Sequence, residues 1–388
     1  MKLMPPRSRL IKYKILAVDL EPTPYKTDLW NAFSDSKIIE IYVIYTEKKN
    51  WSPDGGHNYL KWPTYRHGHV ILSGKGIFGA LRSALFVATR ICTSKLDLIY
   101  ISGYDHFSTV VALIISIILR KKFVLHSDEF NNSRPKGRLV FLKWVVREIL
   151  RKVVFKYGEA VLVCGRRGME TALLAGCKEH KILDFPYVID VDRLKRDAPE
   201  VIPNNCLSDV EQGTTIILFS GRMIPRKGLP TLLAALSEMV IKNKWILWIE
   251  GEGPELRRYE ALAQEYGVHD RCRFLGFCQY DLHSWLIRSA EIVVVPSLVD
   301  TWGIVVDEAI QLGKVVISSD ATGSGYDRIE NGHNGFIFPA GNVKSLANIL
   351  NALLNDKKQV ESVRSAAKSG AGNLRPADNL ETLLKLMK

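Results

Sequence analysis

The fold of this chain is decided by residues 214–229, which read Thr-Thr-Ile-Ile-Leu-Phe-Ser-Gly-Arg-Met-Ile-Pro-Arg-Lys-Gly-Leu. An apolar, β-branched stretch leads into a loop that holds Gly221 and Gly228, and a pattern of helical period begins at Leu229. A strand, a glycine-containing loop and a helix in this order are typical of a parallel sheet whose strands are connected by helices. The stretch therefore predicts an open α/β domain, and its loop falls at the edge where such sheets bind ligands.

The same alternation of short apolar runs and helical segments continues on both sides of this stretch. Between residues 192 and 212 it gives way to a polar, proline-bearing connector. Since 388 residues exceed what one hydrophobic core usually holds, we expect two doubly wound α/β domains facing a central cleft. The expected boundaries are residues 1–191 for the first domain, 192–212 for the linker and 213–388 for the second domain. The predicted strands are Tyr13–Asp19, Ile38–Tyr45, His69–Ser73, Asp97–Ser102, Lys122–His126, Ala160–Cys164, Lys181–Phe185, Thr214–Ser220, Trp245–Glu250, Arg273–Leu275, Ile292–Pro296, Val315–Ser318 and Gly335–Phe338.

The composition limits the class of protein. Apolar residues make up 47% and charged residues 24% of the chain, as in an ordinary globular protein. The six cysteines form neither a CxxC pair nor a Cys/His pattern suited to zinc, which favours a reducing compartment. No export signal is recognisable, and the longest apolar run, Val110–Leu119, is too short to span a bilayer. We therefore expect a cytoplasmic protein.

The net charge of +12 lies entirely in the first half of the chain. Residues 1–190 hold 30 Lys and Arg against 17 Asp and Glu, and the remaining residues hold 23 against 24. Residues 134–156 contain eight basic residues and one acid, and Lys143, Arg147 and Arg151 form one helical stripe. This pattern favours peripheral association with an anionic membrane surface, and a solvated helix face is the alternative. Nucleic acid is not an expected partner, because no binding module is recognisable.

Two cations follow the strand in the opening stretch. Arg222 and Lys227 suit phosphate oxygens, the arginine as a planar fork and the lysine as a point charge. Gly221 lets the backbone come close to a ligand, and the helix that follows offers a partially positive N-terminus. Together these features predict a site for a diphosphate, and a basic surface turn is the alternative.

Two carboxylates eight residues apart flank a second predicted helix start. Asp300 precedes the helix and Glu308 lies in its second turn, so both can face one side. The carboxylates suit the hydroxyls of a sugar and a ribose, and the unpaired first-turn amides of Gly303, Ile304 and Val305 suit phosphate. A pair of solvated surface charges is the alternative.

These motifs resemble those of a known family. The chain carries GR-x3-RKG at 221–228, EGEGPE at 250–255, FLGF at 274–277, PSLVDTWGIVVDE at 296–308 and NGHNGFIF at 331–338. This order is similar to that of the retaining GT-B glycosyltransferases of family four, which are group 1 glycosyl transferases. The resemblance implies two Rossmann-like domains facing a cleft, the second of which binds the donor nucleotide. It also allows the last helix to pack back on the N-terminal domain.

The resemblance also assigns roles to single residues. Arg222 and Lys227 match the pair that binds the donor diphosphate and stabilises the departing nucleotide, and Glu308 matches the carboxylate that holds the ribose. Asp300 stands where the family usually has a glutamate that binds hydroxyls of the donor sugar, so its shorter side chain is a departure. His126, at the end of a predicted strand, matches a histidine next to the reacting sugar.

Two further departures concern the same regions. Trp302 replaces a smaller or phenyl residue before Gly303, and the loop at 21–26 has prolines where many relatives have a glycine-rich turn. Asp190-Val-Asp192 is formally the metal-binding DxD of another glycosyltransferase fold, but it coincides with the crossover between the domains. The family normally works without a bound metal, so neither a metal nor a cofactor is expected.

The implied activity is retaining transfer of a hexosyl group from a UDP- or GDP-sugar to an acceptor hydroxyl. The expected acceptor is a glycan or a lipid-linked molecule of bacterial cell-surface polysaccharide or glycolipid synthesis, at the inner face of the plasma membrane. Two alternatives stay open, a sugar-nucleotide epimerase of the same fold and a non-catalytic nucleotide-sugar binding protein. A nicotinamide oxidoreductase is disfavoured because neither half opens on a GxGxxG motif.

Overall fold

The structure is a computed structural model that describes residues 12–46, 65–72, 76–130, 138–239, 244–370 and 376–388. The described residues form two compact units, one from residues 12–188 and 376–388 and the other from residues 189–370. Arg134 and Lys136 of the predicted basic run lie outside the described residues, as do the side chain of Lys143 and the predicted strand end at Ser73.

The first unit contains a seven-stranded parallel sheet. Its strands are β1 (Tyr13–Asp19), β2 (Ile39–Tyr45), β3 (Gly68–Ile71), β4 (Leu98–Ser102), β5 (Phe123–His126), β6 (Ala160–Val163) and β7 (Ile182–Asp184). They lie in the order β3-β2-β1-β4-β5-β6-β7. The direction of this order reverses between β1 and β4, which marks the topological switch point of the sheet.

The second unit contains a six-stranded parallel sheet. Its strands are β8 (Thr215–Ser220), β9 (Trp245–Glu250), β10 (Cys272–Gly276), β11 (Ile292–Val295), β12 (Val315–Ser319) and β13 (Phe336–Phe338). They lie in the order β10-β9-β8-β11-β12-β13, so the switch point falls between β8 and β11. All the positions of β9, β11 and β12 are buried, as is typical of parallel strands covered on both faces.

Helices connect the strands in both units and cover the sheets on both faces. In the described residues they are α1 (Pro24–Asp35), α2 (Gly76–Thr93), α3 (Phe107–Ile118), α4 (Arg138–Tyr157), α5 (Gly165–Leu174), α6 (Val191–Arg196), α7 (Asn204–Glu211), α8 (Leu229–Ser237), α9 (Leu256–Glu265), α10 (Tyr280–Ser289), α11 (Ile304–Gln311), α12 (Gly323–Arg328), α13 (Val343–Asn355), α14 (Lys357–Gly370) and α15 (Pro376–Met387). The predicted class of two doubly wound α/β domains is confirmed by the two parallel sheets and their helical layers.

Each face of the first sheet has its own core. Val87 of α2, Leu113 of α3 and Val154 of α4 pack together on one face. Trp30 of α1 packs on the other face with Leu383 of the last helix, α15. The chain therefore returns to its first unit at the end, because the apolar side of α15 completes that core.

The structure differs from the predicted linker at residues 192–212. Most of this stretch is helical, in α6 and α7, and both Leu194 and Cys206 are buried in the second unit. The Trp248 Nε1 donates a hydrogen bond of 2.9 Å to Asp209. Residues 192–212 are as polar as a connector on average, but their buried side chains attach them to the second unit. The formal DxD motif has a local role, because Asp190 accepts a hydrogen bond from the Arg193 amide and caps α6.

The basic stripe predicted on α4 is interrupted at Arg151. This side chain is buried and forms an ion pair with Glu148, whereas Val146 and Ile149 are exposed. The side of α4 that carries Val154 packs into the core. Val146 and Ile149 lie on another side of the helix and are therefore exposed. Among the described residues, no helix combines the length and the apolar character that a membrane crossing requires.

Candidate active site

Lys227 and Asp300 meet at the topological switch point of the second unit. Lys227 follows β8 and Asp300 follows β11, the two strands between which the order reverses. The Lys227 Nζ lies 2.5 Å from Asp300 Oδ2. Asp300 is buried, while the Lys227 side chain keeps 20% of its surface exposed. One positive and one negative group therefore stand where an open α/β sheet binds its ligand.

A close approach of two loops holds this pair together. Gly228 has a φ of +71°, and a Cβ at this position would lie 1.9 Å from the carbonyl oxygen of Pro296. The Leu298 amide donates a hydrogen bond of 2.7 Å to the Arg226 carbonyl and joins the same two loops. A side chain at Gly228 would push the loops apart, so the contact requires glycine.

The Asp300 carboxylate has two polar neighbours besides Lys227. The Ser297 hydroxyl lies 3.3 Å from its Oδ2, and the Arg226 guanidinium lies 3.6 Å from its Oδ1. The main chain of Asp300 is held as well, because its amide donates to Ala321 and its carbonyl accepts from Gly323. The carboxylate is therefore fixed in position by its backbone and neutralised by its neighbours.

Glu308 belongs to a buried network that the sequence did not reveal. His283 stands between two carboxylates, with Nε2 2.9 Å from Glu308 and Nδ1 2.7 Å from Glu250, and the Tyr280 hydroxyl donates to Glu308 at 2.8 Å. Burial by itself lowers the pKa of His283, but the two carboxylates outweigh burial and hold this pKa well above its ordinary value. His283 is therefore an imidazolium that donates to both carboxylates and orients Glu308.

The helix α11 begins at the residues predicted to bind phosphate. Gly303 has a φ of +83°, and a Cβ there would lie 2.5 Å from the Thr322 side chain. The Ser324 hydroxyl donates a hydrogen bond of 2.8 Å to the Gly303 carbonyl. The amides of Ile304 and Val305 lie in the first turn, where the helix itself provides no acceptor. This helix start is suited to bind an anion.

Trp302 and Asp307 form a packing pair next to these residues. The Trp302 Nε1 donates a hydrogen bond of 2.6 Å to Asp307, and the Arg328 Nε lies 3.2 Å from the same carboxylate. Burial raises the pKa of Asp307 to about 6, against the opposing effect of Arg328. Both side chains are buried, so Trp302 connects the loop before α11 to the helix itself.

Arg222 lies in the same loop as Lys227, and its side chain is exposed. The Gly221 amide donates to the Glu250 carbonyl at 3.0 Å, which ties this loop to the end of β9. The structure thus pairs Lys227 with Asp300, builds Glu308 into a separate network and leaves Arg222 at the surface of the same sheet edge.

His126 lies in a buried cluster of the first unit. Its Nδ1 is 2.5 Å from the Tyr100 hydroxyl, and its Nε2 is 3.6 Å from the Cys164 sulfur. The Tyr187 hydroxyl donates to Asp128 at 2.6 Å. Burial lowers the pKa of His126 to about 4, so the ring is neutral at physiological pH. A neutral ring in this position can accept a hydrogen bond or donate one, but it carries no charge.

The donor atoms of His126, Asp128 and Cys164 lie within 4.8 Å of one another. Within the described ranges this is the one group of side chains found that could hold a metal ion. The Cys164 thiol also lies 3.6 Å from the Phe185 carbonyl, so hydrogen bonds within the protein hold the cluster together. The expectation of metal-independent chemistry stays a prediction.

A lysine that the sequence analysis did not single out occupies the switch point of the first unit. The proline-rich first loop leads into α1, with Pro24 at a position where its missing N–H is not needed. Lys26 in the first turn forms an ion pair with Asp19 at the end of β1, and its Nζ donates to Ser102 of β4 at 2.8 Å. Burial lowers the pKa of Lys26, but Asp19 outweighs this effect and the net shift is upwards. A largely buried cation therefore stands at the ligand edge of this sheet as well.

Tyr280, His283 and Glu250 were not predicted to form a network with Glu308. Tyr280 and His283 lie three residues apart on a predicted helix, which puts both on one side, and this spacing was the available signal. Glu250 begins the EGEGPE motif at 250–255, but no local pattern links it to His283, 33 residues later.

Comparison with known proteins shows which family the second unit resembles. Residues 208–370 match the family model described as Glycosyl transferases group 1. The chain is 28% identical over 255 residues to alpha-D-kanosaminyltransferase of Streptomyces kanamyceticus, which covers 63% of each protein. It is 28% identical over 169 residues to the lipopolysaccharide core biosynthesis glycosyltransferase LpsE of Rhizobium meliloti, which covers 44% of each. Both matches span less than two thirds of the relative's length.

The fold has a counterpart that spans the whole chain. The structure of HepE from Anabaena, determined in complex with UDP, superimposes with a TM-score of 0.74 at 19% sequence identity and covers 96% of this chain and 98% of HepE. At this identity the match establishes the fold. The family model thus relates residues 208–370 to the group 1 glycosyl transferases, and the structural match gives the whole chain the GT-B fold.

Proposed function

We propose that this chain is a retaining glycosyltransferase of family four that moves a hexosyl group from a UDP- or GDP-sugar to an acceptor hydroxyl. The observation that carries the proposal is the Lys227–Asp300 ion pair at the switch point of the second sheet, beside the start of α11. It provides a cation for phosphate, a carboxylate for sugar hydroxyls and unpaired helix amides at one edge. The UDP complex of HepE, a structure of the same fold, supports a nucleotide-sugar donor.

In this proposal the diphosphate of the donor replaces Asp300 as the partner of Lys227. The diphosphate attracts Lys227, which gives up its contact with Asp300, and Arg222 and the amides of Ile304 and Val305 contribute further donors. Asp300 then accepts hydrogen bonds from hydroxyls of the transferred sugar. The pair therefore keeps both groups neutralised until a ligand of the right charge arrives.

Glu308 holds the ribose in this proposal. Its two oxygens already accept from Tyr280 and His283, but a carboxylate has about four acceptor positions, so capacity for a ribose hydroxyl remains. The imidazolium of His283 provides the buried Glu308 side chain with a charged hydrogen-bond donor in the absence of a ligand. Glu250 fixes the other side of His283 and with it the orientation of Glu308.

The chemical step forms a bond between the acceptor oxygen and the anomeric carbon of the sugar and breaks the bond between that carbon and the diphosphate. The departing diphosphate takes up the proton of the acceptor hydroxyl. Lys227 and Arg222 stabilise the developing charge on the departing diphosphate. These two cationic side chains do what a bound metal ion does in other transferases. His126 is the residue that the resemblance puts next to the reacting sugar, and its neutral ring is suited to hydrogen-bond a hydroxyl.

The acceptor is proposed to be a glycan or a lipid-linked molecule of cell-surface polysaccharide or glycolipid synthesis. LpsE, a lipopolysaccharide core biosynthesis glycosyltransferase, supports this class. A peripheral position on the cytoplasmic face of the membrane would bring the enzyme to such an acceptor. The excess of basic residues in the first half supports that position.

The test is a panel of UDP-, GDP-, ADP- and dTDP-sugars added to the purified chain while thermal unfolding is followed. A ligand that binds the folded state raises the unfolding temperature, and we expect a UDP- or GDP-sugar to do so. Lys227→Ala should abolish the shift, whereas Lys358→Ala, a control at an exposed position of α14, should keep it. If no nucleotide-sugar stabilises the protein, the proposal is wrong.

A turnover assay separates the proposed activity from its two alternatives. A transferase releases nucleoside diphosphate at a rate that rises with added acceptor. An epimerase converts the donor without an acceptor and retains the nucleotide on the sugar. A binding protein stabilises in the thermal assay and shows neither reaction.

A further inference from the structure

The helix α2 carries large apolar side chains on its outer surface. Ile77 is 78% exposed, Phe78 87%, Leu81 49% and Leu85 70%. These positions recur at helical spacing, while Val87 and others face the core, so α2 has two apolar sides. Burying one of them in the sheet leaves the other in contact with water, which costs free energy unless something covers it.

The neighbouring helix α3 extends this surface. It packs beside α2, and both helices contribute to the same core on one face of the sheet. Ile114 and Ile118, four residues apart, are 45% and 70% exposed. We define the apolar face as Ile77, Phe78, Leu81, Leu85, Ile114 and Ile118. Neither α2 nor α3 contains an acidic residue.

Basic residues lie at the end of the apolar face where both helices terminate. Lys95 follows α2, and Arg120, Lys121 and Lys122 follow α3 directly. A cavity of about 320 Å³ at this end is lined by Lys12, Lys14, Lys95, Leu96, Asp97 and Lys121. The Lys14 ammonium forms an ion pair of 2.9 Å with Glu40. The three other lysines still outnumber Asp97, so the cavity is suited to an anionic group such as a lipid phosphate.

We propose that the apolar face docks on an anionic lipid bilayer, with the lysine-lined cavity at the headgroups. The inference deepens the membrane association within the proposed function and assigns it to α2 and α3 instead of the basic stripe of α4. An apolar face next to basic residues is the combination that binds the interface of an anionic membrane. Buried apolar area and attraction to anionic headgroups both add to the affinity. A protein partner or a second copy of the chain would need acidic groups opposite the basic residues of this surface. The test distinguishes these cases from a membrane.

The experiment measures co-sedimentation of the full chain with vesicles of phosphatidylcholine alone and of phosphatidylcholine mixed with phosphatidylglycerol. We expect binding to the anionic vesicles that weakens with salt, because a Debye length of about 10 Å at 0.1 M screens the headgroups. Phe78→Ser should lower the affinity about tenfold or more, since it removes a side chain that inserts into lipid. Replacing Lys95 and Lys121, which line the cavity, by Ala should lower it by about fivefold for each charge.

The control variant is Val201→Ser. Val201 is 78% exposed, as Ile77 is, but it lies in the second unit, so its replacement should leave vesicle binding unchanged. Absence of binding to anionic vesicles would overturn the proposal, as would equal loss in Val201→Ser or equal binding to neutral vesicles. A wild-type oligomer that becomes monomeric in Phe78→Ser without any vesicle binding would assign the face to a second copy of the chain instead.

A fluorescent probe locates the inserted surface. Cys92 is the exposed cysteine of this chain and the other five are buried, so Phe78→Cys combined with Cys92→Ser provides a single accessible thiol. A polarity-sensitive dye at this position should shift to the blue with anionic vesicles, and the same dye on Val201→Cys should not. Neither measurement needs donor or acceptor, so failure here leaves the donor-binding proposal intact, and failure of donor binding leaves this one intact.

Discussion

The Lys227 Nζ lies 2.5 Å from Asp300 Oδ2, so two residues that the family resemblance assigns to different parts of a donor form one ion pair. Any anion that binds Lys227 must compete with a buried carboxylate. We therefore expect the aspartate at this position, where the family usually has a glutamate, to affect nucleotide affinity as well as sugar choice, because Asp300 is the partner of the lysine.

Removal of the competing carboxylate should separate nucleotide binding from transfer. Asp300→Asn is expected to bind UDP about threefold to fivefold more tightly, because Lys227 loses a neutralising partner worth about 1 kcal/mol. The same variant should transfer sugar at a much lower rate, because an amide replaces the charged acceptor for the sugar hydroxyls. Calorimetric titration with UDP and a transfer assay measure the two effects. Asp270→Asn, at an exposed position, is the control, and weaker UDP binding in Asp300→Asn would contradict the prediction.

A methyl group at residue 228 should disrupt the contact between Gly228 and Pro296. Gly228→Ala is expected to destabilise the second unit by more than about 2 kcal/mol, because it adds a clash to the cost of about 1–2 kcal/mol for a left-handed residue. Gly213→Ala is the matched control, since Gly213 has a φ of +62° and nothing within 4 Å of its Cβ position. Denaturant unfolding compares the two, and equal losses would show that the close approach has no effect of its own.

The His283 network predicts a pH dependence of stability. The pKa of His283 is raised in the folded chain, so its contribution is fully present below the unfolded pKa of about 6.5 and is lost as pH rises through the folded value. Wild-type protein should therefore lose stability as pH increases from about 6.5 into the alkaline range. His283→Gln should show less of this loss. Thermal unfolding across the range measures both, and the idea fails if the variant and the wild type change in parallel.

His126 should affect transfer without affecting the nucleotide. His126→Ala is expected to keep the affinity for UDP, because the residue belongs to the first unit, and to lose at least about tenfold in turnover of the donor with acceptor. Cys177→Ser, another buried position of the same unit, is the control for packing. A parallel loss of UDP binding would indicate a general structural effect.

Chelation tests the expectation that no metal takes part. Transfer activity should be unchanged after EDTA treatment and dialysis, because cationic side chains and helix amides are proposed to neutralise the leaving diphosphate. Activity that disappears with EDTA and returns with one divalent ion would contradict this. In that case His126, Asp128 and Cys164 are the first residues to substitute.

Much of the fold could be predicted because its cause is local. Buried parallel strands are continuous apolar runs, and the helices between them show a period of 3.6, so both patterns can be recognised along the chain. Predicted and observed bounds agree fully for β1, Tyr13–Asp19, and closely for β8. The motif around Arg222 and Lys227 was recognisable for the same reason, since a strand, a loop and a helix start are contiguous in sequence.

Tertiary structure decided the features that depend on which side of an element faces inwards. Arg151 was predicted to lie on a basic stripe but is buried, and α15 completes the core of the first unit although it follows the second unit along the chain. Such outcomes depend on how whole helices dock, and a helical period does not specify the angle at which a helix meets its sheet.

The candidate site shows the same division. The sequence by itself determined that Lys227 follows one strand and that Asp300 and Glu308 flank a helix start, because each of these relations spans few residues. Only the folded chain brought Lys227 to Asp300, 73 residues later, and His283 between Glu250 and Glu308. The physical reason is that the strand order of the second sheet makes β8 and β11 neighbours, and contacts between residues distant in sequence follow from that packing.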